Sequence, residues 1–296
     1  MNTIIVGVDG SEPSLLAVDW AAAEAARRDA PLHLVHAVPP WLLDVPDDPD
    51  AAEMRKRILD GGREIVDTGV ARARARVPGL EVTGEQAGGQ PARALIERAA
   101  GAVLLVTGSR GKGGLTGLAL GSVAMQTASH APCPAVVVRA NGRTAYGEIV
   151  VGVDGSRANE AAVGFAFEEA SLRGARLRAL LAWSHPASTG PGDMQPLVYD
   201  RDIVEAEEKR VLAESLAGWR AKYPDVEVVP EAVRGRAVRA LAEASVHADL
   251  LVVGSRGRGG FTGLLLGSVG HAMLHRAHCP VAVIRPDPPA SADGSR

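Results

Sequence analysis

The chain repeats itself. "IIVGVDGS" at Ile4–Ser11 returns as "IVVGVDGS" at Ile149–Ser156, and "VTGSRGKGGLTGLALGSV" at Val106–Val123 returns as "VVGSRGRGGFTGLLLGSV" at Val252–Val269, with 14 of 18 positions the same. The register shifts by one residue between the two matches, so a single net insertion separates the copies. Each repeat is as long as an ordinary domain and can bury its own core. The segment "ANGRTAYG" at Ala140–Gly147 has linker composition, which sets the expected domains at 1–140 and 147–286.

Each copy alternates apolar β-branched runs with amphipathic stretches. In the first, "TIIVGVD" precedes a helix over Glu12–Arg28, and "PLHLVHAV" precedes a long helix near Ala51–Arg76. "LEVTGEQA", a short helix after Pro91, "AVLLVTG", a helix from Ser122 and "AVVVRA" follow. The second copy repeats the order with "EIVVGVD", "RLRALLAW", "VEVVPEAV", "DLLVVG" and "VAVIR". Near-continuous Val/Ile/Leu strands separated by helices predict a parallel sheet covered on both faces. Right-handed crossovers then favour a doubly wound, Rossmann-like α/β fold in each half.

Both copies keep one glycine spacing: Gly108, Gly111, Gly121 and Ser122 in the first, Gly254, Gly257, Gly267 and Ser268 in the second. The loop leaves the fourth strand at its carboxyl end, where open α/β sheets bind ligands. Glycines permit positive φ and let backbone N–H groups converge on an anion, and Ser122 or Ser268 is placed to cap the next helix. Phosphate is the ligand favoured, and Arg110, Lys112, Arg256 and Arg258 add positive charge beside it. Asp9 and Asp154 end the first strands and reach the same crevice. There a carboxylate can meet a sugar hydroxyl or a metal on the phosphates, or can cap the first helix with Ser11 or Ser156, and the roles are compatible.

Other chemistries lack their patterns. There is no G-x-x-x-x-G-K-[ST], and Thr116 stands where a G-x-G-x-x-G would need its last glycine. No G-x-S-x-G, C-x-x-C or H-E-x-x-H is present, so no catalytic residue and no metal centre is assigned. His130, His271, His275 and His278 have no partner at metal-ligand spacing and read as solvated or capping. A formal net charge of −3, with opposite charges interspersed, gives no field for nucleic acid. Arg72, Arg74 and Arg76 read as a solvated helix end. Cys133 and Cys279, each followed by Pro, read as small buried hydrophobes before the fifth strands, with a redox pair as the competing reading. No apolar run is long enough to span a membrane, and the amino terminus enters a strand directly, so the cytoplasm is the expected compartment.

With these residues in view, the chain resembles a tandem universal stress protein of the ATP-binding type. The G-2x-G-9x-G-[ST] loop stands intact twice, preceded by V-G-V-D-G-S and followed by "HAPCPAVVVR" or "HAHCPVAVIR". The resemblance implies a five-stranded sheet of order 3-2-1-4-5 and one ATP per copy, with Mg2+ carried on the phosphates. It places adenosine between Gly7, Val8 and Asp9 and the end of the second strand near Val38, and in the second copy between Gly152, Val153 and Asp154 and Trp183. The triphosphate would lie on Gly108, Ser109, Arg110, Gly111, Lys112, Gly113 and Gly114 with Gly121, Ser122 and Val123. Its second-copy counterparts are Gly254, Ser255, Arg256, Gly257, Arg258, Gly259 and Gly260 with Gly267, Ser268 and Val269.

The same resemblance implies a dimerising fifth strand. Here the two copies can pair those strands within one chain as an internal pseudo-dimer, which leaves a further homodimer open. A regulatory ATP-binding protein of the stress response is the expected function. A slow ATPase or nucleotidyl-transfer enzyme of the related adenine-nucleotide α-hydrolase group is the alternative.

Overall fold

The computed structural model describes residues 2–42, 49–111, 120–139, 145–184, 201–258 and 265–286. They form two compact units, Met1–Thr144 with Leu274–Val283, and Ala145–Met273 with Ile284–Arg296.

The first unit opens with β1 (Ile4–Gly7) and α1 (Glu12–Arg27), then β2 (Leu32–Val38) and α2 (Pro49–Arg76). It continues through β3 (Val82–Gly88), α3 (Pro91–Arg98), β4 (Leu104–Gly108), α4 (Ser122–His130) and β5 (Ala135–Val138). The strands lie in the order β3-β2-β1-β4-β5 and pair in parallel, with Ile4 opposite both Leu32 and Leu104 and with Leu105 opposite Ala135. Ile4, Leu32, Leu34, Leu104 and Leu105 are fully buried between the helical layers, the outcome expected of strands apolar on both faces.

Local chemistry sets the helix limits. Ser11 caps α1, its hydroxyl accepting the Ser14 N–H at 3.3 Å, with Pro13 in the first turn. Ala17, Val18, Ala21, Ala22 and Ala25 form the buried stripe, small enough to bring α1 close to the sheet. At the far end the buried Glu24 carboxylate binds Arg28 at 2.7 Å. The chain then turns through Asp29 in the left-handed region, and the second repeat makes the same turn with Gly174.

The second unit contains β6 (Glu148–Val153), α5 (Glu160–Arg173), β7 (Arg176–Trp183), α6 (Arg201–Lys222), β8 (Val228–Arg234), α7 (Ala237–Ala244) and β9 (Leu250–Gly254). Its strands run β8-β7-β6-β9, again in parallel. Phe167, Ile149, Leu177, Leu181, Leu212 and Leu216 are its largest fully buried side chains. Asp249, which stands where the first repeat has Val103, accepts the N–H groups of Tyr146 and Gly147 at 2.8 and 2.9 Å. That difference between the copies secures the lead-in to β6.

The last elements are α8 (Ser268–Arg276) and β10 (Val281–Ile284). β10 is built largely into the first unit: it pairs antiparallel with β5, Val281 opposite Val137 and Val283 opposite Ala135. The fifth strands therefore pair with one another, as expected of apolar edges. Both cysteines are buried and neither is in a disulfide.

Candidate functional site

In the first unit the carboxyl ends of β1, β2 and β4 and the amino end of α4 enclose a cavity of about 310 Å³. Of the residues singled out in sequence, Gly7, Val8, Asp9, Gly108, Arg110, Gly111, Gly121, Ser122 and Val123 line it. Val38 does not: it is buried, and β2 contributes Val35, His36 and Ala37 instead. Ser109 is buried outside the lining. Its N–H donates to the Val138 carbonyl at 2.9 Å and its carbonyl accepts the Gly121 N–H at 2.8 Å, so it closes the loop from behind. Ser255 does the same in the second repeat, with Ile284 and Gly267, at 2.7 Å each. Lys112, Gly113, Gly114, Gly259 and Gly260 lie outside the described residues.

Two physical expectations about the loop need correction. None of Gly108, Gly111, Gly121, Gly254, Gly257 or Gly267 has a positive φ; that conformation falls to Gly10 and Gly155, just after the strand-end aspartates. Close approach is what excludes side chains at most of these positions. A Cβ on Gly108 would meet the Pro13 backbone, and one on Gly111 or Gly257 would press on Asp9 or Asp154. Nor does Ser122 cap α4. Gly121 is the cap residue, it supplies no side-chain bond, and Ser122 is the first helical residue. The first-turn N–H groups of Ser122, Val123 and Ala124 thus have neither an acceptor within the helix nor a side-chain cap, and all three residues border the cavity. An uncapped helix start of this kind attracts anions.

Gly121 and Gly267 stand apart from the other loop glycines. Neither has a positive φ, and a Cβ at either would have its nearest neighbour at 3.5 Å, ordinary van der Waals contact. Among the described residues, neither backbone conformation nor packing requires a glycine there. Thr107, 4% exposed and part of the lining, has a hydroxyl with no hydrogen-bond partner among the described residues. Buried hydroxyls are seldom left so, and here a ligand could supply the bond. His36, whose Nδ1 lies 2.8 Å from the Val8 carbonyl oxygen, adds a second polar group to the wall.

The strand-end aspartates organise turns. Asp9 accepts the Ser11 N–H at 3.0 Å and the Ser11 hydroxyl at 2.6 Å, which joins β1 to the cap of α1. Asp154 accepts the Ser156 N–H at 2.8 Å through one oxygen and the Arg258 N–H at 3.1 Å through the other. In the second repeat the carboxylate therefore ties the strand end to the glycine loop. Asn159 replaces Ser14 behind it, donating to the Gly152 carbonyl at 3.0 Å. Gly7 and Gly152 make room for Leu95 and Leu241, which come within 2.8 and 3.1 Å of where a Cβ would stand.

Positive charge gathers at the loop in both repeats. Burial and then the neighbouring Arg110 lower the pKa of Arg139, and burial and then Arg256 lower that of Arg285. Two guanidinium groups near one loop form a field suited to an anion. Among the described residues no group of three or more His, Cys, Asp or Glu is placed to hold a metal, and no helix is long and apolar enough to cross a membrane.

Sequence reasoning missed His36, Thr107, Ser14, Val35, Ala37, Pro91, Leu95 and Ala124, which complete the wall. The signal for the β2 residues was register. Gly7 pairs with Val35, so the residues just beyond Val35 flank the turn after β1.

The fold defines a tandem Rossmann-like α/β protein, with a cavity at the strand ends of its first unit. The universal stress protein family model matches residues 1–139 and 145–285, and the chain belongs to that family. A universal stress protein of Mycolicibacterium smegmatis is 38% identical over 289 residues, covering 96% of this chain and 97% of the relative. One from Mycobacterium tuberculosis is 40% identical over 294 residues, covering 95% and 96%. The crystal structure of a universal stress protein from Archaeoglobus fulgidus matches the fold with a TM-score of 0.71 at 18% identity, covering 96% of this chain and 98% of that one.

Proposed function

We propose that the protein binds ATP, one molecule per repeat, and that occupancy sets its conformation or its affinity for a partner in the stress response. The observation that carries this reading is the meeting of the uncapped start of α4 with Arg110 and Gly121 in one cavity. Its volume, about 310 Å³, falls within the roughly 300–1,000 Å³ typical of small-molecule sites. The residues fit the parts of the nucleotide. Uncapped amides and arginine suit phosphate, the wall of Val35, Ala37, Leu95 and Val123 suits an apolar base face, and the Thr107 hydroxyl and Asp9 carboxylate suit sugar or base polar groups. A magnesium ion would arrive on the phosphates. The glycines at positions 121 and 267 then have a reason, since a phosphate against the Gly111 amide would need the space a Cβ takes.

The cytoplasm is the proposed compartment, where ATP is abundant. Nucleotide released by denaturing the purified protein tests the reading directly. ATP, identified by chromatography at about one equivalent per repeat, is expected. A protein that carries no nucleotide, and takes up none when titrated with ATP and magnesium, is not an ATP-binding protein.

A further inference from the structure

Beside the loop, the second repeat carries a carboxylate that the first repeat lacks at the matching helix position. α2 and α6 share a register: Arg74 donates to the Val82 carbonyl at 3.0 Å, and Arg220 donates to the Val228 carbonyl at 3.2 Å. Counting back from those arginines sets Glu208 of α6 where α2 has Gly62. Glu208 faces the glycine loop. Its carboxylate lies 3.3 Å from the Arg258 guanidinium, with the two side chains 19% and 49% exposed. The guanidinium is drawn back over Gly155, where a Cβ would come within 2.8 Å of it, and the Arg258 N–H is bound to Asp154. One carboxylate thus holds the backbone of this arginine and another holds its side chain. Gly62 itself offers no carboxylate, and among the described residues the groups beside it are the Gln86 amide and the His36 ring.

We infer that Glu208 is a positioning residue that holds the Arg258 side chain and weakens phosphate binding at the second repeat's nucleotide site. It occupies the Arg258 guanidinium with a protein carboxylate and adds one negative charge beside the second repeat's loop. Phosphate entering the second site must displace that carboxylate from the arginine and approach it as a like charge. This inference rests on the proposal that both repeats bind ATP.

The test uses the full chain carrying Gly121→Ala, which silences the first site, with and without Glu208→Gln. ATP and adenosine are titrated separately by calorimetry at low and high salt. Glu208→Gln keeps the shape and removes the charge. It should tighten ATP binding about three-fold or more at low salt, with a smaller gain at high salt and no change for adenosine. Unchanged or weaker ATP binding, or an equal gain for adenosine, overturns the inference and leaves ATP binding intact. Failure of every variant and of the parent to bind ATP overturns both. Thermal melts of the variant and parent at matching temperature show that any difference arises in the site and not in folding.

Discussion

A Cβ placed on Gly108 would stand 2.5 Å from the carbonyl oxygen of Pro13 and 2.9 Å from the amide nitrogen of Ser14. The end of β4 is pressed against the start of α1, backbone to backbone, and neither side can swing away. Gly108→Ala should therefore lower stability by about 1–3 kcal/mol whether or not ATP is present. Gly121→Ala has room and an ordinary backbone conformation, and should fold within about 1 kcal/mol of the parent while losing the first repeat's ATP. Urea melts and ATP titration of the two variants separate a glycine needed for packing from one needed for ligand. ATP binding that survives Gly121→Ala unchanged would remove the assigned role of Gly121.

Cys133 is not poised for redox chemistry. Burial pushes the Cys133 thiol from 9.0 up to about 11, so at neutral pH its thiolate fraction is about a hundred-fold below that of an ordinary thiol. Reaction with a disulfide reagent at pH 7 should be at least about a hundred-fold slower in the native chain than in urea. The unfolded chain releases this proton at lower pH than the folded one. The thiol's contribution to stability is thus constant below pH 9 and falls as pH rises from 9 to 11. Cys133→Ala should remove that part of the alkaline decline; an identical profile would contradict the assignment.

Asp29 turns the chain at φ 48° without being a glycine, and Gly174 makes the equivalent turn at φ 59°. Asp29→Gly should stabilise the first repeat by about 0.5–1 kcal/mol and raise its Tm by about 2–4 °C. Gly174→Asp should do the reverse. Calorimetry that finds the two substitutions shifting Tm in the same direction would show that backbone conformation is not what they report.

Val137 is 1% exposed and lies opposite Val281 in the β5–β10 ladder. Val137→Asp buries an unpaired charge and should cost at least about 3 kcal/mol. Hydrogen exchange is expected to quicken at the Val281 and Val283 amides well before it does at Ile4 and Ile5. Val137→Ile should leave that protection in place.

Element type and order were legible because the apolar runs are long and the periods clean: α4 begins at Ser122 and α3 at Pro91, as their sequences indicate. The cavity was legible only through its glycines. His36 and Thr107 carry no motif, and they reach the site because parallel pairing brings the ends of β2 and β4 alongside β1. The backbone near Val38 was the expected contribution of β2, and the cavity lining falls on Val35, His36 and Ala37, the residues just before it. The reasons for the glycines were hidden as well, since contact between Gly108 and Pro13 joins segments about a hundred residues apart and leaves no local trace.

The pairing of β5 with β10 has a consequence for synthesis. Val138 leaves the ribosome about 140 residues before Val281 does, an interval of roughly 7–30 s at about 5–20 residues per second. Throughout that time a nascent first repeat can form β1 to β5, yet its last strand has no neighbour on one side. Truncation near residue 140, whether by a stalled ribosome or a protease, would leave that fragment with an apolar edge that no later segment arrives to cover, and a second nascent chain is the nearest substitute.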